Sequence, residues 1–331
     1  MKKIIVLLLC IFLFGCSSTK SFDGKDRPSS RGALQVVGTQ LCGADGKEIM
    51  LRGISSHGVS LSHMYTNPDT YHEISATMGA NVMRLALYTW GVGSVGYCTG
   101  GDKKTLYQDV LNGVQYAKEN NMYVIVDWHI LEDGDPTIHQ EEAKEFFARI
   151  SEDCKDETHV LYEICNEPNK TDWPTIRAYA EEIIPIIREN DPDSVIIVGT
   201  PNWSQDVDIA AQDPLEYDNL LYTLHFYSAT HKEALRDKAQ NALNKGLPLF
   251  VTEFGICSSS GGFPLDIEEA ELWIDFLEER GISYVMWNFS KTGEACAALR
   301  ADCLKTKDYV REDFSQTGQW LIDTIARRSQ K

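Results

Sequence analysis

Two short strings place a glutamate directly after an apolar, largely β-branched or aromatic run. Asn166-Glu167-Pro168 follows residues 160–165, and Thr252-Glu253-Phe254-Gly255 follows residues 248–251. Each run reads as a strand, so each glutamate falls where a strand opens into a loop. In a parallel sheet both carboxylates then emerge from the carboxyl-terminal edge, where a closed barrel keeps its reactive groups. Two carboxylates converging there have the composition needed to cleave a glycosidic bond, one handling the proton and the other the sugar carbon.

Other polar and aromatic side chains fall at the same edge. His57 follows the first expected strand, Arg84 and Tyr88 the second, His129 the third, and Asn202 and Trp203 the fifth. His225 and Tyr227 follow the sixth, and Trp287, Asn288 and Lys291 the eighth. Singly, each has an ordinary explanation: a histidine satisfied in the core, a glutamate in a salt bridge, a tryptophan in packing. Together they occupy nearly every strand end, while the strands themselves stay apolar. A metal site built from His57, His63, His129 and Asp127 or Asp135 is the competing arrangement, and it lacks the H-x-H or H-E-x-x-H spacing of a metal-binding helix or strand.

The elements that must position these groups alternate without a break. Strand patterns lie at 51–55, 82–87, 123–127, 160–165, 195–198, 220–224, 249–252 and 284–287. Between them, 3.6-residue periodicity is clearest at 106–119, 176–188, 233–243 and 268–279, with a last helix near 314–325. Asp266 before two glutamates, and Gly281 after Glu278-Glu279-Arg280, punctuate one of these helices. Eight strands separated by helices predict an α/β fold, a single (β/α)8 TIM barrel. An open doubly wound sheet would call for a G-x-G-x-x-G after the first strand, and none is present. Residues 34–41 and 48–51, alternating about Ala44-Asp45-Gly46-Lys47, predict a short N-terminal β-hairpin that plugs the barrel bottom.

Net charge is −18 with no basic stripe, which argues against a nucleic-acid partner and suits a neutral substrate such as a polysaccharide. Lys2 and Lys3 precede an apolar run over residues 4–14, long enough for a signal-peptide core and too short to span a membrane. The run ends in Leu13-Phe14-Gly15-Cys16, which resembles a bacterial lipobox, so residues 1–16 are expected to be a lipoprotein signal with Cys16 the lipidated residue. A plain secretory cleavage site is the alternative. Residues 17–33, polar and turn-prone, are then a linker before a catalytic domain at 34–331. Seven cysteines remain, an odd number without a C-x-x-C pair. Cys165 and Cys257, flanking the two glutamates, read most simply as small buried filler.

Several strings taken in order resemble glycoside hydrolase family 5. They are Asn-Val-Met-Arg-Leu at 81–85, Val-Ile-Val-Asp-Trp-His at 124–129, Tyr-Glu-Ile-Cys-Asn-Glu-Pro at 162–168, Leu-His-Phe-Tyr at 224–227 and Thr-Glu-Phe-Gly at 252–255. Residues 55–58, 199–207 and 287–291 resemble its bacterial endoglucanase branch. The resemblance implies a retaining endo-β-1,4-glucanase in which Glu167 is the acid/base and Glu253 the nucleophile, assisted by Arg84, His225 and Tyr227. It implies substrate contacts from His57, Tyr88, His129, Asn166, Trp203, Trp287 and Lys291, with Asn166 on the sugar 2-hydroxyl. The expected partner is a β-glucan, with mixed-linkage glucan, xyloglucan or mannan as alternatives, acted on by a monomer that needs no cofactor or metal. A glycan-binding barrel without catalysis would use the same tryptophans, and the presence of both glutamates counts against it.

Chemistry gives the two glutamates opposite requirements. The nucleophile needs donors such as Arg84 and Tyr227, whereas the proton carrier needs burial and a like charge, here expected from Glu253. Phe254, where the family often has Trp, is expected to weaken or reshape one sugar subsite. The glycine-rich loop at 88–102 is expected to widen or cover the cleft, with Trp90 and Trp173 open to either packing or outer subsites.

Overall fold

The computed structural model describes residues 24–91 and 95–330. Strands β3 (Arg52–Ser56), β4 (Val82–Tyr88), β5 (Tyr123–His129), β6 (Val160–Glu163), β7 (Val195–Val198), β8 (Leu220–Tyr227), β9 (Leu249–Gly255) and β10 (Tyr284–Phe289) run parallel and close into one barrel, β10 pairing with β3. The (β/α)8 expectation holds. Several strands run two or three residues further than the apolar pattern alone suggests, so His129, His225, Tyr227 and Glu253 sit on the last strand residues rather than in loops.

Period-two alternation sorts each strand between two environments. In β4, Met83, Leu85 and Leu87 face the surrounding helices, whereas Val82, Arg84, Ala86 and Tyr88 line the interior. The same holds for Tyr123, Ile125, Asp127 and His129 of β5 and for Leu161 and Glu163 of β6. Reading up the barrel, the interior is apolar at the amino-terminal ends and turns polar and charged at mid-height.

Helices cover the outside: α1 (Pro28–Arg31), α2 (Pro68–Ala76), α3 (Lys103–Glu119), α4 (Gln140–Cys154), α5 (Trp173–Asn190), the short turns α6 (Pro201–Ser204) and α7 (Val207–Ala210), α8 (Glu233–Asn244), α9 (Ile267–Glu279) and α10 (Gln316–Arg328). Helix α4 shows why: Ala143, Phe146, Phe147, Ile150 and Cys154 are buried at helical spacing, each large side chain contributing about 1.5–3 kcal/mol when withdrawn from water. Asp266 caps α9 by accepting from the Glu269 N–H, and Gly281 beyond it adopts φ 64°, both as the sequence indicates.

Two N-terminal expectations change. The hairpin pairs β1 (Gln35–Val37) with β2 (Gln40–Cys42) through a turn at Gly38-Thr39, where Gly38 takes φ 61°. The turn at 44–47 carries only a single bridge, Cys42 to Glu48. The hairpin still plugs the barrel, since Leu34 and Leu41 join Ile49, Leu51, Val82 and Val285 in one cluster. Residues 24–32, expected as linker, are instead docked on the barrel. Arg27 is buried, with Nη1 donating to Ser75 Oγ at 2.8 Å, a contact that a polar composition does not reveal.

Candidate active site

A cleft of about 680 Å³ opens at the carboxyl-terminal edge of the strands, lined by Tyr88, His129, Glu167, His225, Tyr227, Glu253 and the rim groups His57, Trp203, Trp287 and Glu294. Strand β6 ends at Glu163, and the chain rises through Cys165 to present Glu167; Glu253 comes from β9, beside His225 of β8. An oxygen of Glu167, a ring nitrogen of His225 and an oxygen of Glu253 all lie within 4.8 Å of one another. The β8–β9 register shifts between Thr223 and His225. This break in alternation allows the consecutive residues Thr252 and Glu253 both to engage interior groups.

Arg84, wholly buried, gathers ligands from three other strands, β5, β6 and β9. Its Nη1 donates to Glu253 Oε2 at 3.0 Å, its Nε to Glu163 Oε2 at 2.7 Å and its Nη2 to Asn166 Oδ1 at 2.6 Å. Asp127 Oδ2 lies 3.0 Å from Nη2. Tyr227 donates from its hydroxyl to the other Glu253 oxygen at 2.7 Å. Glu253 is thus set up as an acceptor on both oxygens, by one cation and one phenol.

Glu167 is treated differently. Burial pushes its carboxyl up to about 8; Arg84 opposes this, while Asp127 and Glu163 reinforce it. The like charge comes from Asp127 and Glu163, where the sequence reading looked to Glu253. Burial likewise drives Asp127 up to about 7 against the pull of Arg84, with Glu253 adding to the rise. One guanidinium faces four buried carboxyls, and burial biases Glu167, Asp127 and Glu163 toward their protonated forms.

A chain of hydrogen bonds fixes where the Glu167 proton sits. Thr252 Oγ1 donates to Glu163 Oε1 at 2.7 Å, and His225 Nε2 lies 2.9 Å from the same hydroxyl. With its proton committed to Glu163, that hydroxyl accepts from the Thr223 hydroxyl beside it and from His225 Nε2–H. Burial, opposed by Glu253 and Glu163 and reinforced by Arg84, lowers His225 to about 4, so the ring is neutral and its Nδ1 carries a lone pair. Nδ1 lies 2.8 Å from Glu167 Oε1, and a bond there requires the proton on Glu167. Hydrogen-bond logic and burial agree on the acid form.

His129 is also held neutral, lowered to about 3 by burial with Arg84 adding to it, and its Nδ1 lies 2.7 Å from Asp127 Oδ2. Its ring stacks on Trp287 at 5.3 Å between centroids and 10° between planes, and Tyr88 leans on it at 4.2 Å. Trp203 is 45 % exposed and its backbone, like that of Asn202, takes a left-handed φ near 55–58°, which carries the indole to the rim. His57 Nε2 lies 3.4 Å from Glu294 Oε1, and that hydrogen bond holds the Glu294 carboxyl below its ordinary range.

Not every expected contact reaches the cleft. Lys291 turns away, Nζ donating to the Cys303 carbonyl at 3.0 Å. Asn166 lies behind the lining, its amide shared between Arg84 and the Ile130 carbonyl, so it braces the guanidinium. Phe254 is fully buried, stacked on Phe226 and edge-on to Tyr284, so the change from Trp touches packing and no sugar subsite. Trp173 is buried and donates from Nε1 to the Asp213 carbonyl; Trp90 sits outside the cleft lining. Glu163, Thr252 and Glu294 carry no sequence assignment to the site, and Asp127, offered there only as a metal ligand, instead faces Arg84 and His129. A charged residue at period two inside an apolar strand is the signal for Asp127 and Glu163, because the only place for it is the barrel interior. Cys16 lies outside the described residues, as do residues 92–94 of the glycine-rich loop.

Among the described residues two groups bring three metal-ligating atoms together, Glu167–His225–Glu253 and Cys98–His139–Glu142. In the first, both ring nitrogens of His225 and both oxygens of Glu253 already have protein partners. The grouping of His57, His63, His129 and Asp135 is not formed.

Comparison with known proteins places this geometry. The family model Cellulase (glycosyl hydrolase family 5) matches residues 42–293. Endoglucanase A of Butyrivibrio fibrisolvens is 42 % identical over 300 residues, covering 89 % of this chain and 69 % of that protein. An endoglucanase of Clostridium saccharobutylicum is 40 % identical over 329 residues, 98 % of this chain and 72 % of the relative. Among solved structures, Cellulase Cel5C_n superposes with a TM-score of 0.84 at 41 % identity, covering 92 % of this chain and 94 % of that one. The catalytic domain of Thermobifida fusca endoglucanase Cel5A, in complex with cellotetraose, gives 0.85 at 34 % identity, with 90 % and 99 % covered. With the family model spanning most of the barrel and the site it encloses, the chain belongs to glycosyl hydrolase family 5, the cellulase family.

Proposed function

We propose that the protein is a retaining endo-β-1,4-glucanase, with Glu253 the nucleophile and Glu167 the acid/base. One observation carries this: the two carboxyls approach within 4.8 Å at their nearest oxygens yet sit in opposite environments. Retaining pairs lie about 5–5.5 Å apart, and inverting pairs need about 6.5–9.5 Å to admit water between them. In the first step Glu253 attacks the anomeric carbon while Glu167 gives its proton to the departing oxygen. In the second, Glu167, now a carboxylate, takes a proton from water, which attacks the same carbon and releases Glu253. Arg84 and Tyr227 orient the nucleophile, and Trp203 and Trp287 offer flat faces to the sugar rings. The cellotetraose held by the related Thermobifida fusca enzyme supports a β-1,4-glucan as substrate.

Proton NMR of cellotetraose hydrolysis is the test. The first product formed carries the β-anomer. On a β-cellobioside with an acidic phenol as leaving group and azide added, Glu253→Ala yields an α-glycosyl azide and Glu167→Ala a β-glycosyl azide. An initial α-anomer from the wild type, or azide products of the opposite configuration, would overturn the assignment.

The basic residues and apolar run before Cys16 support a further part of the proposal, that the enzyme works outside the cytoplasm as a lipid-anchored protein. Partition of the wild type into detergent, and of Cys16→Ser into the aqueous phase, is the expected result. Equal partition of both removes the anchor.

A further inference from the structure

Away from the cleft, three unlike donors meet: the Cys98 thiol, the His139 imidazole and the Glu142 carboxylate, all within 4.8 Å of one another. They come from two elements. Cys98 belongs to the loop after β4, where its N–H donates to the Thr89 carbonyl at 2.9 Å. His139 is the N-cap of α4 and Glu142 its third residue. An N-cap side chain ordinarily accepts a backbone hydrogen bond. His139 makes none; its Nε2 is buried without a hydrogen-bond partner, and its Nδ1 stands 3.7 Å from Glu142 Oε1. A buried ring nitrogen left unpaired costs about 1–3 kcal/mol and needs an explanation.

We propose that Cys98, His139 and Glu142 form a binding site for a borderline divalent transition metal, of which zinc is the type. The donor set makes that choice. Calcium and magnesium take all-oxygen shells, whereas a thiolate, an imidazole and a carboxylate suit zinc or cobalt, with water in the fourth position. At metal–ligand distances of about 2.0–2.3 Å, tetrahedral donors stand roughly 3.4–3.8 Å apart, so the three side chains close by about an ångström. Loading exchanges the thiol proton for the metal and releases it to solvent, with no change of oxidation state.

The ion ties the β4–α3 loop to the start of α4. None of the three ligands lines the catalytic cleft. Yet the same loop begins directly after Tyr88, a cleft residue, and carries Trp90, whose ring lies 6.2 Å from that of His139. The metal therefore steadies one wall of the cleft without taking part in the reaction.

The test uses the full chain, stripped of metal by chelation and titrated with cobalt(II). One equivalent should bind with a thiolate-to-cobalt absorption in the near ultraviolet, and zinc should displace it. Cys98→Ser should abolish the band, and His139→Ala and Glu142→Gln should weaken binding by about tenfold or more. Zinc should raise the thermal midpoint of the wild type and leave that of Cys98→Ser unmoved, while metal-free Cys98→Ser keeps wild-type hydrolysis as proof of folding. Absence of the band, or its survival in Cys98→Ser, overturns the site. So does cobalt binding that inhibits hydrolysis without a thiolate band, because the Glu167–His225–Glu253 cluster offers no sulfur.

Discussion

Thr252→Val tests the proton logic of the site with little change in shape. The hydroxyl it removes donates to Glu163 and accepts from the Thr223 hydroxyl and from His225 Nε2, which lies 2.9 Å away. Without it, Nε2–H faces Glu163 Oε1 at 3.9 Å, beyond hydrogen-bond reach, a cost of about 1–3 kcal/mol. The neutral ring escapes by moving its proton to Nδ1, which then donates to Glu167 Oε1 at 2.8 Å. A hydrogen bond to a charged group is worth about 1.5–3 kcal/mol, and each pKa unit about 1.4 kcal/mol, so the carboxylate form of Glu167 gains roughly one to two units. The sign follows from the role: Glu167 must hold its proton, and kcat/KM falls as pH rises through its folded pKa of about 8. In Thr252→Val the alkaline limb should move down to about pH 6–7. The assay is kcat/KM against pH on cellotetraose. A substrate with an acidic phenol as leaving group serves as control, because its departure needs no proton and its alkaline limb should barely move. A folded Thr252→Val protein whose alkaline limb stays at the wild-type pH would refute the tautomer assignment.

Other consequences are simpler to state. Glu167→Gln should stabilise the fold increasingly from pH 4.5 to 8. Over that range the unfolded chain ionises a carboxyl that the native state keeps protonated, so the gain reaches a few kcal/mol above pH 8 and vanishes below 4.5; denaturant titrations at several pH values read it. Arg84→Met leaves Glu163 and Glu253 without their buried cation and should cost about 3–5 kcal/mol of stability along with nearly all turnover, whereas unchanged unfolding would mean the guanidinium is not the centre of the network. Trp203→Ala should raise KM for long oligosaccharides roughly two- to tenfold and leave kcat nearly unchanged; an equal loss on the shortest substrate would place the indole at the cleavage point instead.

The barrel was legible because its strands are continuous apolar runs and its helices carry caps such as Asp266. The catalytic pair was legible because each glutamate closes such a run. The interior network was less so. Asp127 and Glu163 look like breaks in an apolar strand until the barrel closes and their shared side becomes its inside. Thr252 gives no signal of its own, since only the register shift beside it turns it inward. Lys291 and Phe254 misled in the opposite way. Position near a strand end says nothing of the side chain's direction, and it took the Cys303 carbonyl and the Phe226 ring to settle each. The docking of residues 24–32 rests on Arg27, Ser29 and the Asp26 and Gly32 carbonyls, polar groups whose partners lie far along the chain, and composition averages that away.

Arg84 gathers Asp127, Glu163, Asn166 and Glu253 from around the ring, and none of these contacts involves the rim. The reactive centre is therefore inherited with the barrel, and the loops above it are free to drift. For a protein engineer this separates two tasks. Substrate range can be rebuilt at Trp203, Glu294 or residues 258–261 without retuning the carboxylates. The reverse transplant fails: Glu167 and Glu253 set into another barrel, without the arginine and its buried acids, would carry over two side chains and leave their difference behind.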